Sequence, residues 1–194
     1  MEEILESKIK ALNITLTNYL ISGPKSVREF KIDCTKLDER FFVEDIRDSL
    51  EFKELFQQLK KIENNPCLYV FTVENEISTN QLIESLKNFR DQTEKVTPSL
   101  KNKIPQNSKT LYVGKSNRLV WGRLITHLGF HTYKNNGDPK ASINHGLQLY
   151  FWAKELLLQI TYTVIEFDHS MKDILPLLEK QLAAELNPII GKHK

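Results

Sequence analysis

Apolar residues recur along this chain with two different periods. In residues 44–62, EDIRDSLEFKELFQQLKKI, they return every three or four positions, which predicts an amphipathic helix. Residues 2–21 and 79–95 also read as helices. Residues 67–73, CLYVFTV, are rich in β-branched and aromatic side chains and predict the first clear strand. Residues 110–114, TLYVG, and 160–167, ITYTVIEF, predict two more. Residues 27–33 stand between a strand and an irregular segment, and the apolar run 147–158 does not reveal a period. Asn64-Asn65-Pro66 and Asn187-Pro188 break elements, because proline disfavours helix for the residue before it. Residues 96–109, with two prolines among polar residues, predict a loop. A helix over 117–128 is expected to start at Ser116 or Asn117 and to stop at Gly129. The last helix, capped by Ser170 or Asp173, tolerates Pro176 in its first turn.

Some residues break the pattern of their own element. Glu179 falls inside the apolar arc that Leu175, Leu178, Leu182 and Leu186 make on the last helix. A carboxylate facing a core needs a cation, hydrogen bonds or a metal. The plain alternative is a core-edge Glu paired with a Lys or Arg. Arg123 and His127 lie one turn apart on the margin of another apolar helix face, a pair suited to phosphate binding and proton transfer, though an exposed Arg and a half-buried His are common on any helix. Tyr69 and Tyr112 each sit in a strand, and Gly114 after Tyr112 permits close approach by another group.

Composition bounds the answer. The 194 residues, 40% hydrophobic and 27% charged, suit one globular domain with at most a small appendage. No apolar run approaches the roughly 20 residues that a bilayer crossing needs, so no membrane partner is expected. The charged opening, MEEILESKIK, is unlike a secretory or transit leader, and the two separated cysteines suit a reducing cytoplasm. The net charge of +2 conceals a segment, residues 94–140, with nine Lys/Arg against two Asp/Glu. Lys95, Lys101, Lys103, Lys109, Lys115, Arg118, Arg123, Lys134 and Lys140 supply it. Such an excess suits a polyanion such as nucleic acid, and equally a solvated loop face. Phosphate-binding glycine loops, the zinc motif H-E-x-x-H and the nucleophile elbow G-x-S-x-G are absent.

The order of these features resembles the GIY-YIG nuclease superfamily. Cys67-Leu68-Tyr69 stands where the family has G-I-Y, and Tyr112-Val113-Gly114 stands for Y-I-G. Arg123 and His127 match the family's helix Arg and the following His or Tyr. Glu179, with Leu182 and then Pro188, matches the metal-binding Glu and its tail. Cys67 replaces the first Gly, Gly191 stands where the family often has Asn, and 42 residues separate the tyrosines instead of a compact hairpin.

The resemblance implies an α/β (α+β) fold: a small three-stranded antiparallel sheet flanked by helices over residues 63–194, with an insertion at about 75–108. Residues 1–62 would be a helical N-terminal extension. It implies a metal-dependent endonuclease acting on DNA, with Glu179 holding one Mg²⁺ or Mn²⁺ and Arg123 clamping a phosphate oxygen. Tyr69 would activate water with Tyr112 and His127, leaving Tyr69, His127 and Lys115 open as the base. Lys115, Lys101, Lys103 and Lys109 are the candidate DNA contacts. A non-catalytic nucleic-acid-binding or protein-interaction module on the same scaffold is the alternative. The nuclease reading further expects the tyrosines, Arg123 and Glu179 to converge on one side of the sheet, with the insertion projecting past its edge; Glu179 on the opposite side would count the resemblance as coincidence.

Overall fold

The strand-forming runs assemble into one antiparallel sheet in the computed structural model, which describes residues 1–93, 97–131 and 146–191. The strands are β1 (Ser26–Asp33), β2 (Cys67–Val73), β3 (Thr110–Ser116) and β4 (Gln159–Glu166), in the spatial order β1-β4-β2-β3. The α-helices among the described residues are α1 (Glu2–Ser22), α2 (Lys53–Lys60), α3 (Thr79–Gln92), α4 (Val120–Leu128), α5 (Leu149–Trp152) and α6 (Leu175–Leu186). The fold is therefore α+β, with four strands among the described residues and not three.

The additional strand is β1, from the segment within the expected helical extension that reads as either a strand or an irregular piece. It pairs with β4 along its whole length, Ser26 opposite Glu166 and Asp33 opposite Gln159. Its charges, Arg28, Glu29 and Lys31, mask its strand character in the sequence. They are also what an edge strand uses to discourage pairing with another molecule. The expected helix over 44–62 is likewise divided, into a 3-10 turn (Ile46–Asp48) and α2. Asp45 caps that turn by accepting from the Arg47 backbone N–H.

Period-two alternation gives the sheet two different faces. Cys67, Tyr69, Phe71 and Val73 of β2, with Ile160, Tyr162 and Val164 of β4, enter the main core under α2, α3, α4 and α5. Leu68 and Ile165 on the other face meet Leu175, Leu178 and Leu182 of α6, while Val70 and Val113 meet Ala183. Central β2 is covered on both faces, which accounts for its nearly unbroken apolar sequence. Each fully buried Leu or Phe in these layers contributes about 1.5–3 kcal/mol. Helix α1 buries no residue of its own, and its Tyr19 ring packs on Phe167 at 5.6 Å.

The long excursion between β2 and β3 does not stand off the sheet as expected. Leu82, Leu86 and Phe89 of α3 enter the main core, and Phe89 stacks on Phe151 at 5.9 Å. The chain then returns past the C-terminal segment, with a bridge between Leu100 and Ile190. The two strands remain direct neighbours, Tyr69 opposite Gly114 and Phe71 opposite Tyr112, with a register shift just beyond Phe71. Ile189 and Ile190 donate backbone hydrogen bonds to Thr110 and Leu111 at the start of β3. From Tyr112 to Ser116 no described backbone pairs with the outer edge of β3.

Candidate active site

Gly114 organises the tyrosines. A Cβ built there would lie 2.6 Å from Tyr69 Cζ and 2.7 Å from Tyr112 Cε1, closer than atoms tolerate. The missing side chain is what lets both rings lean over the β3 backbone. Their centroids are 6.2 Å apart.

Helix α4 brings the next two groups. Gly129, at φ 102°, ends it in the left-handed conformation that glycine adopts freely. The N-terminal cap is Leu119, also left-handed at φ 55°, and not Ser116 or Asn117 as the sequence suggests. His127 is buried, with its ring 5.0 Å from that of Tyr112 and its Nε2 3.0 Å from the Tyr69 hydroxyl. The Leu147 backbone N–H donates to His127 Nδ1 at 3.2 Å. Nδ1 is therefore the acceptor, the ring proton sits on Nε2, and Nε2–H donates to the Tyr69 oxygen. Burial, and then the Arg123 charge, lower the His127 pKa to about 3, so the ring stays neutral.

Arg123 is exposed as a residue, yet its guanidinium lies against the Tyr69 oxygen. The phenol oxygens, Tyr69 first, raise its pKa. Tyr69 itself is fully buried, and burial pushes its hydroxyl well above the usual tyrosine range. Tyr112 moves in the same direction, through burial and then the Glu179 charge. Two N–H sources, His127 and Arg123, thus converge on one phenolic oxygen. That arrangement opposes the burial that keeps this oxygen neutral, without overcoming it.

Glu179 approaches from elsewhere. Leu175 and Ala183, one turn to either side of it, are the buried residues of α6, so Glu179 faces the sheet as its position in the apolar arc implies. Its Oε2 is 2.9 Å from Lys115 Nζ, and its side chain is 15% exposed. This is the carboxylate–cation pair of the plain alternative. Helix α6 covers the face opposite the tyrosine rings, so the expected convergence on one side of the sheet does not occur. The Glu179 charge nevertheless acts on both the Tyr69 and Tyr112 hydroxyls. Strand β3 is the last of the sheet, so among the described residues no further strand separates the two faces beyond it.

The remaining basic candidates separate. Lys115 joins the site through Glu179. Lys101 donates to the Ala183 carbonyl of α6 at 3.0 Å, and burial lowers its pKa. Lys103 and Lys109 are exposed. Lys109 and Lys115 lie about 20 Å apart along the strand, at roughly 3.4 Å per residue. Lys95, Lys134 and Lys140 lie outside the described residues. Both cysteines are buried with thiols pushed up to about 12 by burial, which leaves neither as a nucleophile.

Tyr162 is the residue that the motif comparison missed. It shares the tyrosine face of β4 with Ile160 and Val164, and its ring lies 5.8 Å from that of Tyr69. The alternation in ITYTVIEF was the available signal. Among the described residues no helix is long and apolar enough to cross a membrane, and no three His, Cys, Asp or Glu side chains cluster as metal ligands. Compared with family models, with curated proteins and with solved structures, the chain matches none.

Proposed function

We propose that this chain is a metal-dependent endonuclease that hydrolyses DNA phosphodiester bonds at a site folded around the outer edge of β3. One observation carries the reading most: Tyr69 receives the His127 Nε2–H and faces the Arg123 guanidinium, while the Glu179 charge reaches the same hydroxyl. The resemblance of these residues, in this order, to the GIY-YIG nucleases supports it, and the place of Glu179 on the face opposite the tyrosine rings counts against it.

Hydrolysis requires an activated water, a clamp on the phosphate and relief of the charge that builds on its oxygens. Arg123 is exposed and aimed at the tyrosine oxygen, so a phosphate oxygen placed there would meet a fixed cation. Tyr69 serves as base only as the phenolate, its own proton having first been lost to bulk solvent, because among the described residues no neighbouring side chain is placed to take it. His127 already accepts at Nδ1 and donates at Nε2, and Lys115 is held as the partner of a carboxylate. His127 then orients the phenol and stabilises its anion. Tyr112 borders the same oxygen.

The donor set at Glu179 is one carboxylate with phenolic oxygens nearby, hard ligands of the kind Mg²⁺ or Mn²⁺ takes. A single protein carboxylate suits an ion that keeps most of its waters and also binds the substrate phosphate. Such an ion would supply Lewis-acid stabilisation of the phosphate charge when bound. Lys115 would have to yield its place on Oε2 or share it.

That ion pair also favours the second reading, in which Glu179 is structural and the scaffold binds nucleic acid or protein without cutting. The deciding experiment is a cleavage assay on supercoiled, branched and single-stranded DNA with Mg²⁺ or Mn²⁺, in parallel with EDTA. Metal-dependent nicking or linearisation supports the nuclease; DNA binding with no cleavage of any substrate supports the module.

A further inference from the structure

Tyr162 is fully buried, and its hydroxyl has no hydrogen-bond partner among the described residues. Leaving such a group unmet is costly, so native structures nearly always supply a partner or an ordered water. The neighbouring Tyr69 hydroxyl has a complementary need. Its oxygen accepts from His127 Nε2–H, and its own proton reaches no described acceptor. Tyr69 and Tyr162 lie diagonally across β2 and β4, with Tyr69 opposite Val164 and Phe71 opposite Tyr162. Their rings are 5.8 Å apart, yet no hydrogen bond joins the two hydroxyls. Two buried hydroxyls with unspent hydrogen-bonding capacity, near but not touching, form a site for a bridging molecule that both donates and accepts.

We propose that one buried water links the Tyr162 and Tyr69 hydroxyls, and that Tyr162 is thereby a positioning residue for the Tyr69 proton. A buried water is held by two to four polar partners. The two phenols supply two, and the Arg123 guanidinium and Cys67 thiol are the other polar groups acting on Tyr162. The thiol is already directed to the Asn65 carbonyl at 3.4 Å, which leaves Arg123 as the third partner. The water takes the Tyr69 proton as acceptor and donates to Tyr162. This fixes the direction of the Tyr69 O–H bond, so that the oxygen's lone pairs stay turned toward His127 and Arg123. The water site stands on the two hydroxyls alone, whereas its role in cleavage rests on the nuclease reading.

The test is a high-resolution crystal structure of the wild-type protein and of Tyr162→Phe, with thermal unfolding, DNA affinity and single-turnover cleavage measured on both. The wild type is expected to show one water within about 2.7–3.2 Å of both oxygens. In Tyr162→Phe that water should be absent and the Tm lower by about 2–4 °C. Cleavage should fall about tenfold with DNA affinity unchanged, a split that a merely structural change would not produce. A dry site together with a Tm that rises in Tyr162→Phe would overturn the proposal, because the hydroxyl would then be an uncompensated buried group. Cleavage by Tyr162→Phe at the wild-type rate would overturn the positioning role. A water seen in place in a protein that cuts no DNA would support the site and refute only the nuclease reading.

Discussion

At the scale of single residues, Gly114 and His127 set the geometry around Tyr69. Alanine at 114 would put a methyl group into the space of two aromatic rings, so one ring must move or the strand must bend. Gly114→Ala is expected to lose about 1–3 kcal/mol, the usual range for an overpacked site, read from the urea midpoint. A wild-type midpoint would show that the rings yield freely. His127 makes a pH-dependent contribution. Its folded pKa, about 3, lies below the ordinary value of 6.5. Below pH 6.5 the unfolded chain takes up a proton that the folded chain refuses. Stability is then full above about 6.5 and falls as pH drops toward 3, with a limiting slope of about 1.4 kcal/mol per pH unit. Urea unfolding at pH 7 and pH 5 should show this loss in the wild type and a smaller one in His127→Gln; equal losses would remove His127 as the cause. The four-residue spacing of Arg123 and His127 made both legible in the sequence. The Leu147 N–H that sets the tautomer was not, since it comes from 20 positions downstream through tertiary packing.

At the scale of elements, the site depends on an edge strand and on the helix behind it. Glu179 was legible because the helical period placed a carboxylate in an apolar arc. The face it occupies was not, because periodicity within one helix says nothing about which side of the sheet that helix covers. Leu68, Val70 and Val113 decide that, by presenting a second apolar face to Leu175 and Ala183. Strand β1 was half-legible for a similar reason: its alternation is real, but the outward positions carry charge and the pairing with β4 is remote in sequence. The Lys115–Glu179 contact joins β3 to α6. Replacing Lys115 with Met should cost about 1–2 kcal/mol, between the values for exposed and buried pairs, because a half-buried carboxylate loses its partner. Adding Glu179→Gln to that variant should recover part of the loss. No recovery in the double variant would show that the pair is not what Lys115 contributes.

At the scale of the whole molecule, the basic block of residues 94–140 is not one patch. Lys101 anchors to α6, Lys115 belongs to the site, and Lys103 and Lys109 remain exposed. Neutralising Lys103 and Lys109 together should weaken DNA binding for all sequences alike and flatten the salt dependence by about one to two contacts. Lys101→Ala should register mainly as lost stability. An unchanged salt slope in the double variant would exclude those two lysines from the DNA footprint. The central claim is that Glu179, from one face of the sheet, and Arg123, from the other, serve one reaction at the β3 edge. Residues that act as a unit are non-additive when removed. The most direct measurement is the single-turnover DNA cleavage rate, with Mg²⁺ or Mn²⁺, of Glu179→Gln, Arg123→Ala and the double variant. Each single change should abolish cleavage, with Glu179→Gln still folded and binding DNA, and the double variant should be no worse than either. Cleavage by Glu179→Gln at the wild-type rate would contradict the account, because the carboxylate at the edge would then be only the partner of Lys115.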